Sequence, residues 1–174
     1  MAKNLIAYYS RAGNNYLGGH IVNLEDGNTQ IIAEKIRELA GGDLFQIETV
    51  KPYPDDYDET VELAKDELGR NARPELKSTV KNIHDYDTVF LGYPIWWGVM
   101  PMPVLTFLES SDFSGKTIIP FCTHEGSEFG ISGRYIRQSC PGAKILSGLA
   151  IKGEKRDQAD TEIRKWLKSL NLLA

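Results

Sequence analysis

Small polar residues near the start of the chain have the types and the spacing to bind an anion. Ser10 and Asn14 follow an apolar run, and Asn28 and Thr29 lie where an amphipathic helical pattern begins. The first turn of a helix offers unpaired backbone N–H groups and the positive end of the helix dipole, which together favour a phosphate. A second interpretation stays open, in which Asn28 or Thr29 only caps the helix.

An aromatic segment is the second candidate. Trp96 and Trp97 follow another apolar run and lie among Pro94, Pro101 and Pro103. Two adjacent tryptophans in so rigid a segment cannot both point into one core, so at least one should be exposed. An exposed indole offers a flat surface on which a conjugated ring can stack. The alternative is that both rings cover a hydrophobic edge or a dimer contact.

The third candidate is the glycine-rich segment 123–133. Glycines such as Gly126 let backbone N–H groups approach a ligand closely, Thr123 and Ser127 add hydroxyls, and Phe129 adds an aromatic surface. This segment could hold the polar edge of a ring. It also fits an ordinary connection in which His124 is a hydrogen-bonded loop residue.

The elements that must position these segments alternate between short apolar runs and helical patterns. This alternation predicts an α/β domain with a doubly wound, five-stranded parallel sheet and helices on both faces. Ligands bind such sheets beyond the carboxyl ends of the strands, where all three segments lie. The expected strands are 5–9, 44–50, 88–93, 117–122 and 145–149, and the expected helices are 29–39, 57–68, 104–108, 133–138 and 157–170.

The connection between the first strand and the first helix is longer than such a connection needs. Gly18-Gly19, flanked by apolar residues on both sides, predicts a small hairpin inside it. A loop of this length usually has a function.

Composition excludes several classes of function. A net charge of −4 and a pI near 5.4 argue against a nucleic acid partner. Acidic residues concentrate in segment 43–67, which fits either a solvated helix face or a docking surface for a basic partner. Cys122 and Cys140 lack the spacing of a metal site or a redox pair. With neither a signal peptide nor a membrane span expected, the sequence predicts a single cytoplasmic domain over residues 1–174.

Rival motifs fail at specific positions. Gly115-Lys116-Thr117 resembles the end of a P-loop, but Ser110 replaces the first glycine and a strand follows instead of a helix. No GxGxxG dinucleotide motif occurs. A phospho-acceptor receiver domain would need acids where Ser10-Arg11 and Pro94 lie, and a low-molecular-weight phosphatase would need an arginine six positions after a cysteine.

Together, the three segments resemble the flavodoxin-like family of FMN-binding proteins, and the similarity of pattern extends over nearly the whole chain. Gly92–Gly98 carries the most specific match, whereas residues 15–27 split the phosphate motif. The resemblance implies the strand order 2-1-3-4-5 and a tightly but non-covalently bound FMN, with Arg11 pointing to solvent. The residues that it implies for the cofactor are Ser10, Ala12, Asn14, Asn28, Thr29, Pro94, Ile95, Trp96, Trp97, Gly98, Thr123, His124, Gly126, Ser127 and Phe129.

Two functions follow from this resemblance. The first is an electron carrier that transfers electrons through its flavin to or from a redox partner protein. The second is an FMN-dependent oxidoreductase that takes hydride from NAD(P)H and reduces a quinone or a similar small acceptor. Neither requires a catalytic side chain, because the flavin carries the redox chemistry. A module that has lost its flavin is a third alternative. The chain is expected to be a monomer or a homodimer, without membrane, nucleic acid or metal.

Overall fold

A parallel sheet forms the centre of the molecule. The computed structural model describes residues 3–174. The strands are β1 (Asn4–Tyr8), β2 (Gly13–Leu17), β3 (His20–Leu24), β4 (Asp43–Gln46), β5 (Thr88–Pro94), β6 (Thr117–His124), β7 (Lys144–Ile145) and β8 (Leu149–Lys152). The sheet has five positions: β4, β1, β5 and β6 take the first four, and β7 and β8 share the fifth beside β6. All of these strand pairs are parallel, which confirms the predicted order 2-1-3-4-5.

Helices cover both faces of the sheet, as predicted. The helices are α1 (Asn28–Ala40), α2 (Tyr57–Gly69), α3 (Met102–Glu109), α4 (Ser132–Ser139) and α5 (Asp160–Ser169). Successive residues of a strand point to opposite faces, so Ile6 packs with Ile36 of α1 and Ile163 of α5, whereas Leu5 belongs to the cluster on the other face, which includes Phe107 of α3. The central strands are therefore apolar on both sides.

The edge strand differs from the single strand 145–149 that the sequence predicts. Leu146 still donates to the Ile118 carbonyl, but the chain then bulges before pairing resumes at Leu149. Pro120 of β6 has no N–H group with which to continue the ladder. The Ser147 carbonyl instead accepts a hydrogen bond from the indole of Trp166. The proline therefore explains the break between β7 and β8.

Two other expected elements have different bounds. The sequence predicts that the second strand extends to residue 50. Ile47 still donates to the Tyr8 carbonyl of β1, but residues 48–50 leave the sheet and pair with the segment around Leu76. The closing helix begins at Asp160 rather than at residue 157, because a 3-10 helix occupies Gly153–Gln158.

The long connection after β1 contains the predicted hairpin. β2 and β3 pair antiparallel with Leu17 opposite His20, so Gly18 and Gly19 form the turn. Both glycines have positive φ, which suits a tight hairpin turn. Within the described residues, no helix has the length and hydropathy to span a membrane, and no three or more His, Cys, Asp or Glu side chains are grouped so that they could hold a metal ion.

Candidate functional site

A cavity of about 440 Å³ lies beyond the carboxyl ends of β5 and β6. This volume is in the range of cofactor sites. The cavity brings together eight of the residues that the sequence predicts for a cofactor: Asn28, Pro94, Ile95, Trp96, Thr123, His124, Gly126 and Ser127. Four residues outside the predicted cofactor set complete the wall: Asn15, Tyr16, Tyr57 and Glu125.

The N-terminus of α1 forms the polar end of the site. Ser10 Oγ accepts a hydrogen bond from the Gln30 amide at 3.0 Å, so a residue from the end of β1 performs the capping. Neither Asn28 nor Thr29 caps the helix. Among residues 3–174, the amides of Asn28 and Thr29 have no acceptor, and they stay available to an anion.

Gly27 allows this close approach of loop and helix. A Cβ atom at this position would lie 2.2 Å from Ser10 Oγ and 2.6 Å from the Arg11 carbonyl oxygen. The φ of Gly27 is −66°, so the requirement is for space and not for an unusual backbone conformation.

Asn28 has a side chain suited to binding a ligand. Its Oδ1 atom is buried and has no hydrogen-bond partner among the described residues, and the residue lines the cavity. A buried acceptor without a donor costs about 1–3 kcal/mol, so such a group needs an explanation. A ligand with hydroxyl groups would supply the donor.

Thr29 and Thr123 join the two ends of the site. Their hydroxyl oxygens are 2.8 Å apart, and both side chains are buried. This hydrogen bond connects the first turn of α1 to the end of β6. Only one of the two hydroxyls donates in this bond, so the other keeps its proton for a further acceptor, and the backbone amide of Thr29 stays free.

The two tryptophans have different environments. Trp96 is half-buried, makes edge-to-face contacts with Tyr9 and Tyr53, and lines the cavity. Trp97 is 49% exposed, and its indole N–H donates to the Val61 carbonyl of α2 at 2.9 Å. Lys65 lies 5.3 Å from the ring centre of Trp97. The expectation that at least one indole is exposed at this edge is confirmed for Trp97.

The loops after β5 and β6 touch each other. Gly98 lies in this contact and not in the cavity wall, and its carbonyl accepts a hydrogen bond from the Ile131 amide. A Cβ at Gly130 would lie only 2.1 Å from this carbonyl oxygen. Phe129 is partly buried and contacts Tyr93 edge to face, so the structure places it against the core and not in the cavity wall. Burial of the large apolar ring explains this orientation.

His124 and Glu125 belong to the part of the cavity wall that the end of β6 and the loop after it form. His124 Nδ1 accepts a hydrogen bond from the Gly126 amide at 2.9 Å, and Glu125 Oε2 accepts one from the Gly18 amide at 3.1 Å. Burial lowers the pKa of His124 and raises that of Glu125. The Gly126 amide, a candidate ligand donor, is thus engaged within its own loop.

Arg11 and Asn14 hold the hairpin to α2. The Arg11 guanidinium donates to the carbonyls of Asn14, Pro54 and Asp55, so the expectation that Arg11 points to solvent is wrong. Asn14 Oδ1 accepts from the Tyr57 amide at the start of α2. Asn14 therefore serves the hairpin, while its neighbour Asn15 faces the cavity. Ala12 lies with Ser10 in a separate polar cleft on the β4 side.

The hairpin forms one wall of the site. Tyr16 stacks on Tyr57 of α2 with ring centres 6.1 Å apart, and the hairpin tip reaches Glu125. The Gly-Gly turn in the sequence signalled the hairpin, but no local pattern signalled its contacts with α2 and with the loop after β6.

A second cavity of about 270 Å³ shares Asn15, Tyr57, Ile95 and Trp96 with the first. Its remaining wall consists of Arg11, Thr60, Val61, Ala64 and Trp97. The polar groups of Arg11, Asn15 and Trp97 are already hydrogen-bonded to backbone carbonyls. The second cavity is therefore chiefly an apolar, aromatic space.

Solved structures with the same architecture define the class of fold. A candidate flavoprotein from Bacteroides eggerthii DSM 20697 is 31% identical over 98% of this chain and 99% of its own, with a TM-score of 0.79. A second from Bacteroides uniformis ATCC 8492 is 29% identical over 96% and 98%, with a TM-score of 0.77. A flavoprotein from Lactobacillus acidophilus NCFM, solved in complex with FMN, is 23% identical over 95% and 99%, with a TM-score of 0.71.

These structures share the flavodoxin-like α/β fold with this chain. The sequence profile of the flavodoxin family also matches residues 22–170. The chain belongs to the flavodoxin family, which confirms the resemblance inferred from the sequence. Among curated protein sequences, none matches this chain.

Proposed function

We propose that this protein is a flavodoxin-like redox protein that binds FMN non-covalently and transfers electrons through it. The observation that carries the proposal is the 440 Å³ cavity, whose wall includes both Asn28, with a free amide at the start of α1 and a buried, unpartnered Oδ1, and the aromatic ring of Trp96. A phosphate, a hydroxylated chain and a flat ring are the three parts of FMN that these groups suit.

The chain's own residues would hold and orient the cofactor. The Asn28 and Thr29 amides would bind the phosphate, with Ser10 fixing the first turn of α1. Asn28 Oδ1 would accept a hydrogen bond from the hydroxylated chain, and Trp96 and Tyr16 would contact the ring. Bound FMN supplies the capacity to accept one or two electrons.

For the electron carrier, the acidic part of α2 supports a protein partner. Asp58, Glu59 and Glu62 are exposed on α2. The same helix accepts the hydrogen bond from the indole of Trp97 through the Val61 carbonyl. Such charges speed encounter with a basic partner protein and lose this effect as salt increases.

The second cavity favours the alternative, an FMN-dependent oxidoreductase that uses NAD(P)H and a small acceptor. An apolar space directly beside the proposed flavin cavity gives a planar acceptor such as a quinone a place to bind. A pure carrier does not need such a space.

One set of measurements tests both functions. FMN-loaded protein is mixed anaerobically with NADH or NADPH while the flavin absorbance is followed. Bleaching by the nicotinamide alone supports the oxidoreductase, and bleaching only when a flavin reductase is added supports the carrier.

Trp97→Ala is expected to weaken FMN binding and to shift the reduction potential of the bound FMN, because Trp97 fixes the loop after β5 to α2. Unchanged affinity and potential would contradict its assignment.

A further inference from the structure

The loop after β6 has an internal hydrogen bond that depends on a titratable side chain. His124 Nδ1 accepts from the Gly126 amide at 2.9 Å. An imidazole nitrogen can accept a hydrogen bond only when it carries no proton, so the ring must be neutral with its proton on Nε2. His124, Glu125, Gly126 and Ser127 all line the cavity. The shape of this wall therefore depends on the protonation state of one ring.

The bond holds a turn whose backbone conformation favours glycine. Gly126 has a φ of +148°, and it lies between two residues that face the cavity. Protonation of His124 would place two N–H groups against each other at Nδ1 and at the Gly126 amide. The turn would then lose its acceptor and gain a repulsion, and the loop would move from the conformation that lines the cavity.

We propose that His124 is a positioning residue of the cofactor pocket, whose neutral imidazole keeps residues 124–127 in the conformation that binds FMN, so that FMN affinity falls in acid. This inference rests on the proposed function, because it concerns the same cavity. It adds a dependence on pH that the fold alone does not require.

The charged groups around His124 come from its own loop, from β8 and from the 3-10 helix that follows β8. Glu128 lies on the same loop and favours the protonated ring, whereas Lys152 of β8, opposite His124 in the strand register, disfavours it. Lys152 is itself paired with Glu154 at 3.4 Å, and Glu125 is engaged by the hairpin. Burial is the largest effect, and it lowers the pKa of His124 below its ordinary value of 6.5.

The direction of the pH effect follows from this lowered pKa. Above pH 6.5 the ring is neutral both in the folded and in the unfolded chain, and the contribution of the bond is complete. As the pH falls through the lowered pKa of the folded protein, the ring becomes protonated and the contribution is lost. FMN binding, which selects the neutral form, weakens over the same range.

The test is FMN affinity as a function of pH, measured by quenching of flavin fluorescence in the wild type, His124→Asn and His124→Ala. Asparagine can accept from the amide two residues later and does not titrate. We expect wild-type affinity to fall by about three- to tenfold in acid, the size of one lost hydrogen bond. Because asparagine does not titrate, His124→Asn should lose less FMN affinity than wild type as the pH falls. His124→Ala, which lacks the acceptor, should bind FMN weakly at every pH. Ionisation of the FMN phosphate affects all three proteins alike.

Two charge variants test the assignment to His124. Glu128 favours the protonated ring and Lys152 disfavours it. Glu128→Gln should therefore move the acid loss of FMN affinity to lower pH, and Lys152→Gln should move it to higher pH. Neither residue lines the cavity, so neither substitution removes a residue of the cavity wall. An equal loss of FMN affinity in acid for wild type and His124→Asn would overturn the inference, but it would leave the proposed function, FMN binding, standing. An affinity of His124→Asn at pH 7.5 as low as that of His124→Ala would also overturn it. No binding of FMN by folded wild type at pH 7.5 would instead overturn the proposed function, and the inference with it.

Discussion

Gly27 is the residue at which the start of α1 and the loop after β1 leave no room for a side chain. Gly27→Ala has an acceptable φ but places a Cβ 2.2 Å from Ser10 Oγ. We expect a loss of about 1–3 kcal/mol in the free energy of unfolding, typical of overpacking, together with weaker FMN binding. Urea denaturation and flavin fluorescence measure the two effects.

Gly69→Ala is the matched control for this substitution. Gly69 ends α2, and a Cβ there would meet no atom within 4 Å. Alanine should leave stability equal or higher, because it restricts the unfolded chain and favours the helix. Equal effects of the two substitutions would contradict the role of Gly27.

The hydrogen bond between Thr29 and Thr123 makes a second prediction at this scale. Thr29→Val or Thr123→Val alone leaves a buried hydroxyl unpaired, which should cost about 1–3 kcal/mol in the free energy of unfolding. The double variant should cost less than the sum of the single variants, because no unpaired hydroxyl is left. Strict additivity in a double-mutant cycle would show that the two hydroxyls do not interact.

The sequence revealed residues better than it revealed their roles. The Pro94–Trp96 and Thr123–Ser127 stretches were predictable because they directly follow apolar strands, whose carboxyl ends must meet at one edge of the sheet. The function of Ser10 as a remote cap, and the choice of Asn15 over Asn14 for the cavity, were not. Both depend on contacts between segments that are distant in the sequence.

The hairpin β2–β3 is the element that distinguishes this site. It is attached to the loop after β6 through the bond from Gly18 to Glu125. Glu125→Ala should therefore increase hydrogen exchange in residues 13–24, because the tip loses its anchor. Glu128→Ala is the control on the same loop, and α5 is the internal reference. Unchanged exchange in the hairpin of Glu125→Ala would contradict this anchoring.

Strands and helices whose apolar residues recur at one regular spacing were predictable, and strands whose pairing is interrupted were not. The buried strand 88–93 and helix 57–68 match β5 and α2 closely because their apolar patterns are uninterrupted. The prediction of a single edge strand was wrong because the residue that breaks this strand, Pro120, lies on the neighbouring strand. Sequence patterns within one segment cannot report such a partner.

At the scale of the whole molecule, the net charge of −4 predicts how the reduced protein meets its partners. Oxidation of the FMN-loaded, chemically reduced protein by a basic protein such as cytochrome c should slow as ionic strength rises from about 0.01 to 0.15 M. Oxidation by an uncharged quinone should not change. A rate with the basic protein that is independent of salt would argue against the acidic surface as a docking site.

The most direct test of the central claim is titration of folded, cofactor-free protein with FMN. We expect quenching of flavin fluorescence that ends at one FMN per chain, with weaker binding of riboflavin, which lacks the phosphate that the start of α1 would hold. Circular dichroism confirms that the titrated protein is folded. Folded protein that leaves FMN fluorescence unchanged would contradict the claim that this cavity binds the flavin.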